Sequence, residues 1–142
     1  MVLVLLFVVA AITAPLISPY DPEKRVWAID ENNRVIRSYL VSGSKYSNEM
    51  PGVHQVYSKS DPSTAWNGKA WLPLMIRYQV TDIGHIGFHA IPRYYNGKPM
   101  HSTKQLGLAI ARGGCVRLSE KAAKEVYDFL KVGDLVVVLP SP

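Results

Sequence analysis

Only one stretch of this chain has a helical pattern, and that limits the possible fold more than any other feature. Residues 119–131 carry apolar side chains at helical spacing, which predicts an amphipathic helix. The side chains on the apolar face are Ala122, Ala123, Val126, Tyr127 and Leu130. Ser119 is a suitable N-cap, Glu120 suits the first turn, and Gly133 marks the end. Most of the remaining chain alternates as strands do, so a mainly β fold with one packed helix is expected.

The predicted strands are short and separated by segments rich in turn-forming residues. They span residues 25–29, 34–42, 53–58, 70–80, 83–90 and 135–139. The first two surround Asp30-Glu31-Asn32-Asn33 and are expected to form a hairpin. Residues 43–52, 59–69 and 91–105 are predicted loops. The last is long for a compact domain, which favours a functional role.

The length of 142 residues predicts one domain, and the 48% hydrophobic content is typical of a globular protein. Residues 1–17 contain no charged side chain, and we interpret them as a signal-like or membrane-anchoring segment. The alternative is a buried first strand. Residues 18–24 would then be a linker and 25–142 the domain, placed outside the cytoplasm as a secreted or membrane-anchored protein.

The formal net charge of +5 favours an anionic partner. Nucleic acid and an anionic cell-wall polymer both have the required charge. Because the chain lacks a dense basic run with interleaved aromatic residues, nucleic acid is not expected as a partner.

The segment Gly113-Gly114-Cys115-Val116-Arg117-Leu118 holds the only cysteine, so an internal disulfide is excluded. Amides of Gly113 and Gly114 could approach a bound carbonyl closely and form an oxyanion hole. Arg117 could lower the pKa of the thiol or anchor a carboxylate. From spacing alone, a nucleophile and a small cysteine in a turn before a helix are equally good interpretations.

A histidine is the commonest activator of a thiol, and four are present. His89 lies in an apolar strand-like stretch and is either the general base or a satisfied core residue. His101 is the rival base, and His54 has a weaker context. His85 and His89 are four apart, but no cysteine or carboxylate nearby completes a metal site. No metal and no cofactor are predicted.

Several motifs together resemble the L,D-transpeptidase catalytic domain of the YkuD type over roughly residues 25–139. They are Ile86-Gly-Phe-His-Ala-Ile-Pro92, Leu106-Gly107, Gly114-Cys-Val-Arg-Leu118 and Val132-Gly-Asp-Leu-Val-Val-Val138. The resemblance implies a β-sandwich-like fold with a helix after the cysteine. It also implies peptidoglycan cross-linking: a cysteine attacks a tetrapeptide stem, releases D-alanine, and passes the acyl group to an amine of a neighbouring stem.

The resemblance assigns roles to individual residues. Cys115 matches the nucleophile, His89 the general base, and Arg117 the arginine that supports the cysteine loop. The main-chain carbonyl of Ala90 would steady the base, and Gly114 is the glycine before the nucleophile. The family has Ser/Thr-His where this chain has Arg112-Gly113, which makes Arg112 the candidate replacement contact for a carboxylate or oxyanion.

Other functions remain open at this point. Hydrolysis of the acyl-enzyme by water would give an L,D-carboxypeptidase. A non-catalytic or weakly active wall-binding module of the same fold is the runner-up. A sortase is disfavoured because its Thr-Leu-x-Thr-Cys run is absent, and a papain-like hydrolase places cysteine before histidine.

Overall fold

The computed structural model describes residues 2–6, 24–46, 48–82 and 84–139. The strands are β1 (Val2–Leu6), β2 (Arg25–Ile29), β3 (Val35–Leu40), β4 (Gly43–Ser44), β5 (Gly52–Gln55), β6 (Ser58–Ser60), β7 (Ser63–Thr64), β8 (Trp71–Leu72), β9 (Met75–Thr81), β10 (Gly84–Ala90), β11 (Ala109–Ala111), β12 (Val116–Leu118) and β13 (Leu135–Leu139). The α-helix is α1 (Glu120–Phe129), and Thr103–Gln105 forms a short 3₁₀ helix.

Two larger sheets and the helix build the domain. One sheet has five strands in the order β3-β2-β1-β13-β5, and the other has four in the order β12-β10-β9-β6. β4 pairs with β11, and β7 pairs with β8. The predicted β2–β3 hairpin is present and turns through residues 30–33, where Asn33 N donates to Asp30 O at 3.0 Å.

The core lies between these layers, because alternate residues of the strands point inward. In β2 the buried residues are Val26 and Ala28, and in β13 they are Val136 and Val138. Phe88 of β10 is fully buried, which contributes roughly 1.5–3 kcal/mol to folding. The predicted fold class is confirmed: the domain is mainly β and sandwich-like, with one packed helix.

The helix begins where the sequence predicts it but ends earlier. Ser119 is the N-cap, and its Oγ accepts from Ala122 N at 3.1 Å. Leu130 already has extended backbone angles, so the helix stops before the predicted residue 131. Gly133 instead lies in the following turn at φ +101°, a conformation that favours glycine.

Several predicted segments are divided differently in the structure. The strand expected over 70–80 is split into β8 and β9 at Pro73, which has no N–H for a sheet ladder. The expected strand 53–58 is also interrupted: β5 ends at Gln55, and Ser58 begins β6 in the other sheet. The predicted loop at 43–52 contains β4 and the first residue of β5, and the predicted loop at 59–69 contains the end of β6 and all of β7.

The apolar start of the chain enters the five-stranded sheet. β1 pairs antiparallel with β2 and parallel with β13. This position corresponds to the alternative interpretation of a first strand, while the interpretation as a signal or anchor stays a prediction.

Residues 7–23 lie outside the described residues, as does most of the predicted linker. Lys24, its last residue, is buried, and its Nζ pairs with Glu49 Oε1 at 3.3 Å. Within the described parts, no helix has the length and apolarity to cross a membrane.

Candidate active site

Two neighbouring parallel strands bring the predicted catalytic residues together. β10 pairs with β12 so that His89 lies opposite Arg117, and Ala90 lies opposite Leu118. Cys115 is two residues before Arg117, and residues two apart on an extended chain share a face. The short strand pairing therefore places Cys115, His89 and Arg117 on one side of the sheet.

These three residues line one cavity of about 290 Å³. Its remaining lining residues are Ser63, Thr64, Ala65, Trp66, Asn67, Leu72, Met75, Arg77, Gly84, His85, Pro92, Ala111 and Gly113. Among the described residues, Asp and Glu are absent from this lining, whereas two arginines contribute to it. The cavity is therefore electrostatically suited to an anionic ligand.

The Cys115 thiol occupies a mixed environment. Its Sγ donates to His85 O at 3.5 Å rather than to an imidazole. Burial raises the pKa of the thiol, while a hydrogen bond from the Gly87 amide and the positive charges of Arg117 and Arg77 lower it. The net pKa is above the ordinary value, so the resting residue is a thiol, and attack requires a base.

His89 is buried and has a defined tautomer. Its Nδ1 lies 2.6 Å from Ala90 O, and because a carbonyl only accepts, Nδ1 must carry the proton. This leaves Nε2 of the neutral ring as a proton acceptor. The pKa of His89 is lowered to about 4: burial is the largest cause, the hydrogen bond with Ala90 opposes it, and the charges of Arg117 and His101 act in the same direction as burial. The ring is consequently neutral at neutral pH.

Arg117 connects the cysteine loop to the rest of the domain. Its main-chain N donates to Ser42 O at 2.8 Å, and its main-chain O accepts from Ser42 N at 2.9 Å. The guanidinium Nε is buried without a hydrogen-bond partner among the described residues. Burial lowers the pKa of Arg117, and the neighbouring Cys115 opposes that shift. An anionic group entering the cavity would compensate this cation.

The two glycines before the cysteine have different surroundings. A Cβ on Gly114 would lie 2.2 Å from Asn48 O and 2.7 Å from Ile86 Cδ1, so the chain needs a residue without a side chain there. A Cβ on Gly113 would meet nothing within 4 Å, and Gly113 lines the cavity. Gly114 thus allows close packing of the cysteine loop, whereas Gly113 leaves the backbone open to a ligand.

Two other predicted residues lie elsewhere. Arg112 is exposed and does not line the cavity, and its carbonyl accepts from Asn48 Nδ2 at 3.5 Å. The rival base His101 lines a separate cavity of about 300 Å³ that it shares with Ala90 and Glu120. Because Cys115 does not line that cavity, the imidazoles that share a cavity with the thiol are those of His89 and His85, and His85 Nδ1 is already hydrogen-bonded to Tyr57 Oη.

Residues that the sequence alone did not identify complete the cavity. The sequence suggests His85 only as a metal partner of His89, on the same face of a regular strand. The register of β10 shifts between Ile86 and Gly87, so the strand between the two histidines is not regular. His85 Nδ1 lies 2.5 Å from Tyr57 Oη. Across the described residues, no cluster of three metal-ligating side chains is formed. Arg77 was not singled out, because its partners come from distant residues and no local motif marks it.

Two family models match parts of this chain. A family model described as L,D-transpeptidase catalytic domain matches residues 20–138. A second model, the N-terminal TM domain of oligopeptide transport permease C, matches residues 1–35. No curated protein matches the chain.

Solved structures of L,D-transpeptidases share the fold. A Stackebrandtia nassauensis enzyme is 21% identical with a TM-score of 0.62, and the match covers 82% of this chain and 51% of that one. A Mycobacterium smegmatis enzyme is 20% identical with a TM-score of 0.63, covering 83% and 54%. The LdtMt1 transpeptidase in complex with imipenem is 18% identical with a TM-score of 0.65, covering 96% and 58%. The chain thus spans little more than half the length of these proteins.

Proposed function

The chain belongs to the L,D-transpeptidase catalytic domain family, and on this premise we propose that it forms peptidoglycan cross-links through an acyl-enzyme on Cys115. One observation carries the proposal: Cys115, His89 and Arg117 line a single cavity from adjacent parallel strands. The acyl donor is a tetrapeptide stem, and the acyl acceptor is an amine of a neighbouring stem.

The geometry supports a general-base mechanism rather than a resting ion pair. Cys115 is protonated and His89 is neutral, so the thiol proton moves to His89 Nε2 as sulfur attacks the amide carbonyl. This transfer requires the thiol to leave its present acceptor, His85 O, and to turn toward the imidazole. Because Ala90 O accepts from Nδ1, it stabilises the imidazolium that forms.

The remaining steps return both residues to their starting state. The tetrahedral oxyanion is stabilised by main-chain amides beside Gly113, where the cavity is open. The amide C–N bond then breaks, and His89 gives its proton to the departing amine of D-alanine. The acceptor amine attacks the thioester, loses a proton to His89, and the Cys115 thiolate leaves and is reprotonated.

The reaction can be tested with a purified disaccharide-tetrapeptide and product analysis by mass spectrometry. We expect D-alanine release and a cross-linked dimer, both abolished by Cys115→Ala. His89→Gln should slow the reaction by about 10²–10⁴-fold, the usual contribution of general-base catalysis. The matched variant His101→Gln should remain within a few-fold of wild type. D-alanine release without a dimer would indicate a carboxypeptidase, and a folded protein that gives neither product would contradict the proposal.

A non-catalytic wall-binding module is the second candidate, favoured by the main-chain hydrogen bond and raised pKa that keep the thiol protonated. Such a module would bind purified cell wall equally well with Cys115→Ser and would show no thiol chemistry. The net charge of +5 would support adhesion to an anionic wall polymer in either case.

We further propose an extracytoplasmic location, since the family's substrate lies in the cell wall. A membrane tether through residues 1–17 is the alternative to the position of β1 in the sheet, and it is supported by the absence of charge in residues 1–17 and by the match of residues 1–35 to a transporter's N-terminal membrane domain. Fractionation of cells expressing the full chain tests this: a tethered protein sediments with membranes and resists extraction by alkaline carbonate. Release into the soluble fraction would contradict the tether.

A further inference from the structure

Arg77 of β9 is held in the cavity wall by three serines. Its Nη1 donates to Ser58 Oγ at 3.2 Å, and its Nη2 donates to Ser60 Oγ and Ser63 Oγ, both at 2.8 Å. Strand alternation explains the direction of the side chain, because Ile76 and Tyr78 on either side enter the core. The partly buried guanidinium is therefore fixed toward the cavity before any ligand arrives.

The positive charge of Arg77 is not neutralised by the described protein. Its three partners are neutral hydroxyls, and no carboxylate of the described residues lies within 4.0 Å of it. The serines occupy three of the five guanidinium N–H donors, which leaves donors without a protein acceptor. The same cavity holds Arg117, and none of its described lining residues is acidic.

An arginine that is fixed, partly desolvated and not neutralised suits one class of ligand. Carboxylates accept charge-assisted hydrogen bonds from guanidinium, and these bonds are stronger where water is reduced. The charge of Arg77 also lowers the pKa of the Cys115 thiol, which indicates that the two groups are electrostatically coupled. A ligand that binds Arg77 would therefore lie close to the nucleophile.

We infer that Arg77, positioned by Ser58, Ser60 and Ser63, binds a carboxylate of the acyl donor beside the amide bond that Cys115 attacks. The inference rests on the proposed function for the identity of the donor. It makes the enzyme selective for stems with a free carboxylate near that bond over stems with a carboxamide there. Arg117 also has a donor without an acceptor among the described residues, its buried Nε, but Arg77 is the arginine whose guanidinium is fixed in the cavity wall by three serine hydroxyls.

Alkylation of Cys115 by iodoacetate and iodoacetamide tests the site without peptidoglycan. The two reagents form the same S–C bond and release iodide, but only iodoacetate carries a carboxylate. Both reagents require the thiolate, so a change in the thiol pKa cancels when the rate constant for iodoacetate is divided by the rate constant for iodoacetamide. We expect this ratio to fall about tenfold in Arg77→Gln, the factor corresponding to one charge-assisted hydrogen bond. Arg77→Lys should give an intermediate ratio, because the charge remains and the serine-held guanidinium is lost.

Controls separate a local site from net charge and from misfolding. Arg37→Gln removes the same charge at a residue that pairs with Glu125 outside the cavity, and its ratio should equal that of wild type. Ser63→Ala keeps the charge but removes one contact, and its ratio should fall about two- to threefold with an unchanged melting temperature. An unchanged ratio in Arg77→Gln, or an equal fall in Arg37→Gln, would overturn the inference. If Arg77→Gln fails to fold, an unchanged ratio in Ser63→Ala would overturn it.

A thiol inert to both reagents would contradict the proposed nucleophile, and a binding experiment then decides the role of Arg77. The Cys115→Ala protein is titrated with N-acetyl-D-alanine and with N-acetyl-D-alaninamide, following the Arg77 Nε–H signal by NMR. We expect a saturable shift with the carboxylate and none with the amide. Equal responses to both compounds, or none to either, would overturn the inference.

Discussion

Replacing Gly114 by alanine should destabilise the domain, while the same change at Gly113 should not. A Cβ on Gly114 would lie 2.2 Å from Asn48 O, more than 1 Å inside a normal contact of about 3.4 Å. Because main-chain atoms of Asn48 form this contact, the backbone at Asn48 must move, and strain of this kind costs about 1–3 kcal/mol. At Gly113, where a Cβ meets nothing, alanine should change stability by less than about 1 kcal/mol.

Urea unfolding followed by circular dichroism measures both effects. We expect Gly114→Ala to lower the denaturation midpoint at an unchanged m-value, and Gly113→Ala to leave the midpoint almost unchanged. Each variant adds one methyl group to the cysteine loop, at neighbouring positions, so the pair isolates the packing against Asn48. Equal losses of stability in the two variants would refute this reasoning, because backbone preference and not close packing would then dominate.

Further predictions concern pH, the helix and the first strand. Since the pKa of His89 falls from its ordinary 6.5 to about 4 on folding, the unfolded chain binds more protons between these values, and acidification from pH 6.5 to 4 should lower the free energy of unfolding by about 3 kcal/mol. Acid titration of stability should show this slope in wild type and a clearly smaller one in His89→Gln. Lys59→Met should cost about 1–2 kcal/mol in urea unfolding, because Lys59 Nζ donates to Leu130 O at 2.8 Å and to Tyr127 O near the helix C-terminus. Deleting residues 1–6 should broaden or abolish cooperative thermal unfolding, because β1 pairs on both sides within its sheet; a deletion variant with an unchanged melting curve would show that the domain does not need the strand.

The sequence predicted those elements whose signals are local. β2 and β13 match the predicted ranges, because alternation defines β2 and a continuous apolar run after Gly133-Asp134 defines β13. The helix start followed from Ser119 and the first-turn Glu120. Its end was placed too late, because residues 131–134 form a turn in which Asp134 accepts from Lys131 N, a tertiary preference that helix periodicity does not encode.

The site was predicted only as far as its residues lie in motifs. Cys115 and His89 were found from Gly-Cys-Val-Arg and Gly-Phe-His-Ala, and the strand pairing places both at one cavity. The three-residue strand that aligns them, β12, is too short for a periodicity signal. The contacts of Arg77 with Ser60 and Ser63 depend on strand register and a nearby turn, so no single stretch of sequence reveals them.

The role of Cys115 as the nucleophile that becomes acylated is tested most directly by the intact mass of the protein after incubation with imipenem. A solved L,D-transpeptidase of the same fold is described in complex with this compound. We expect the mass to increase by one imipenem adduct, which peptide mapping should assign to Cys115. The adduct should be absent from Cys115→Ala and should form more slowly in His89→Gln. A folded wild-type protein that gains no mass, or an adduct that persists in Cys115→Ala, would contradict it.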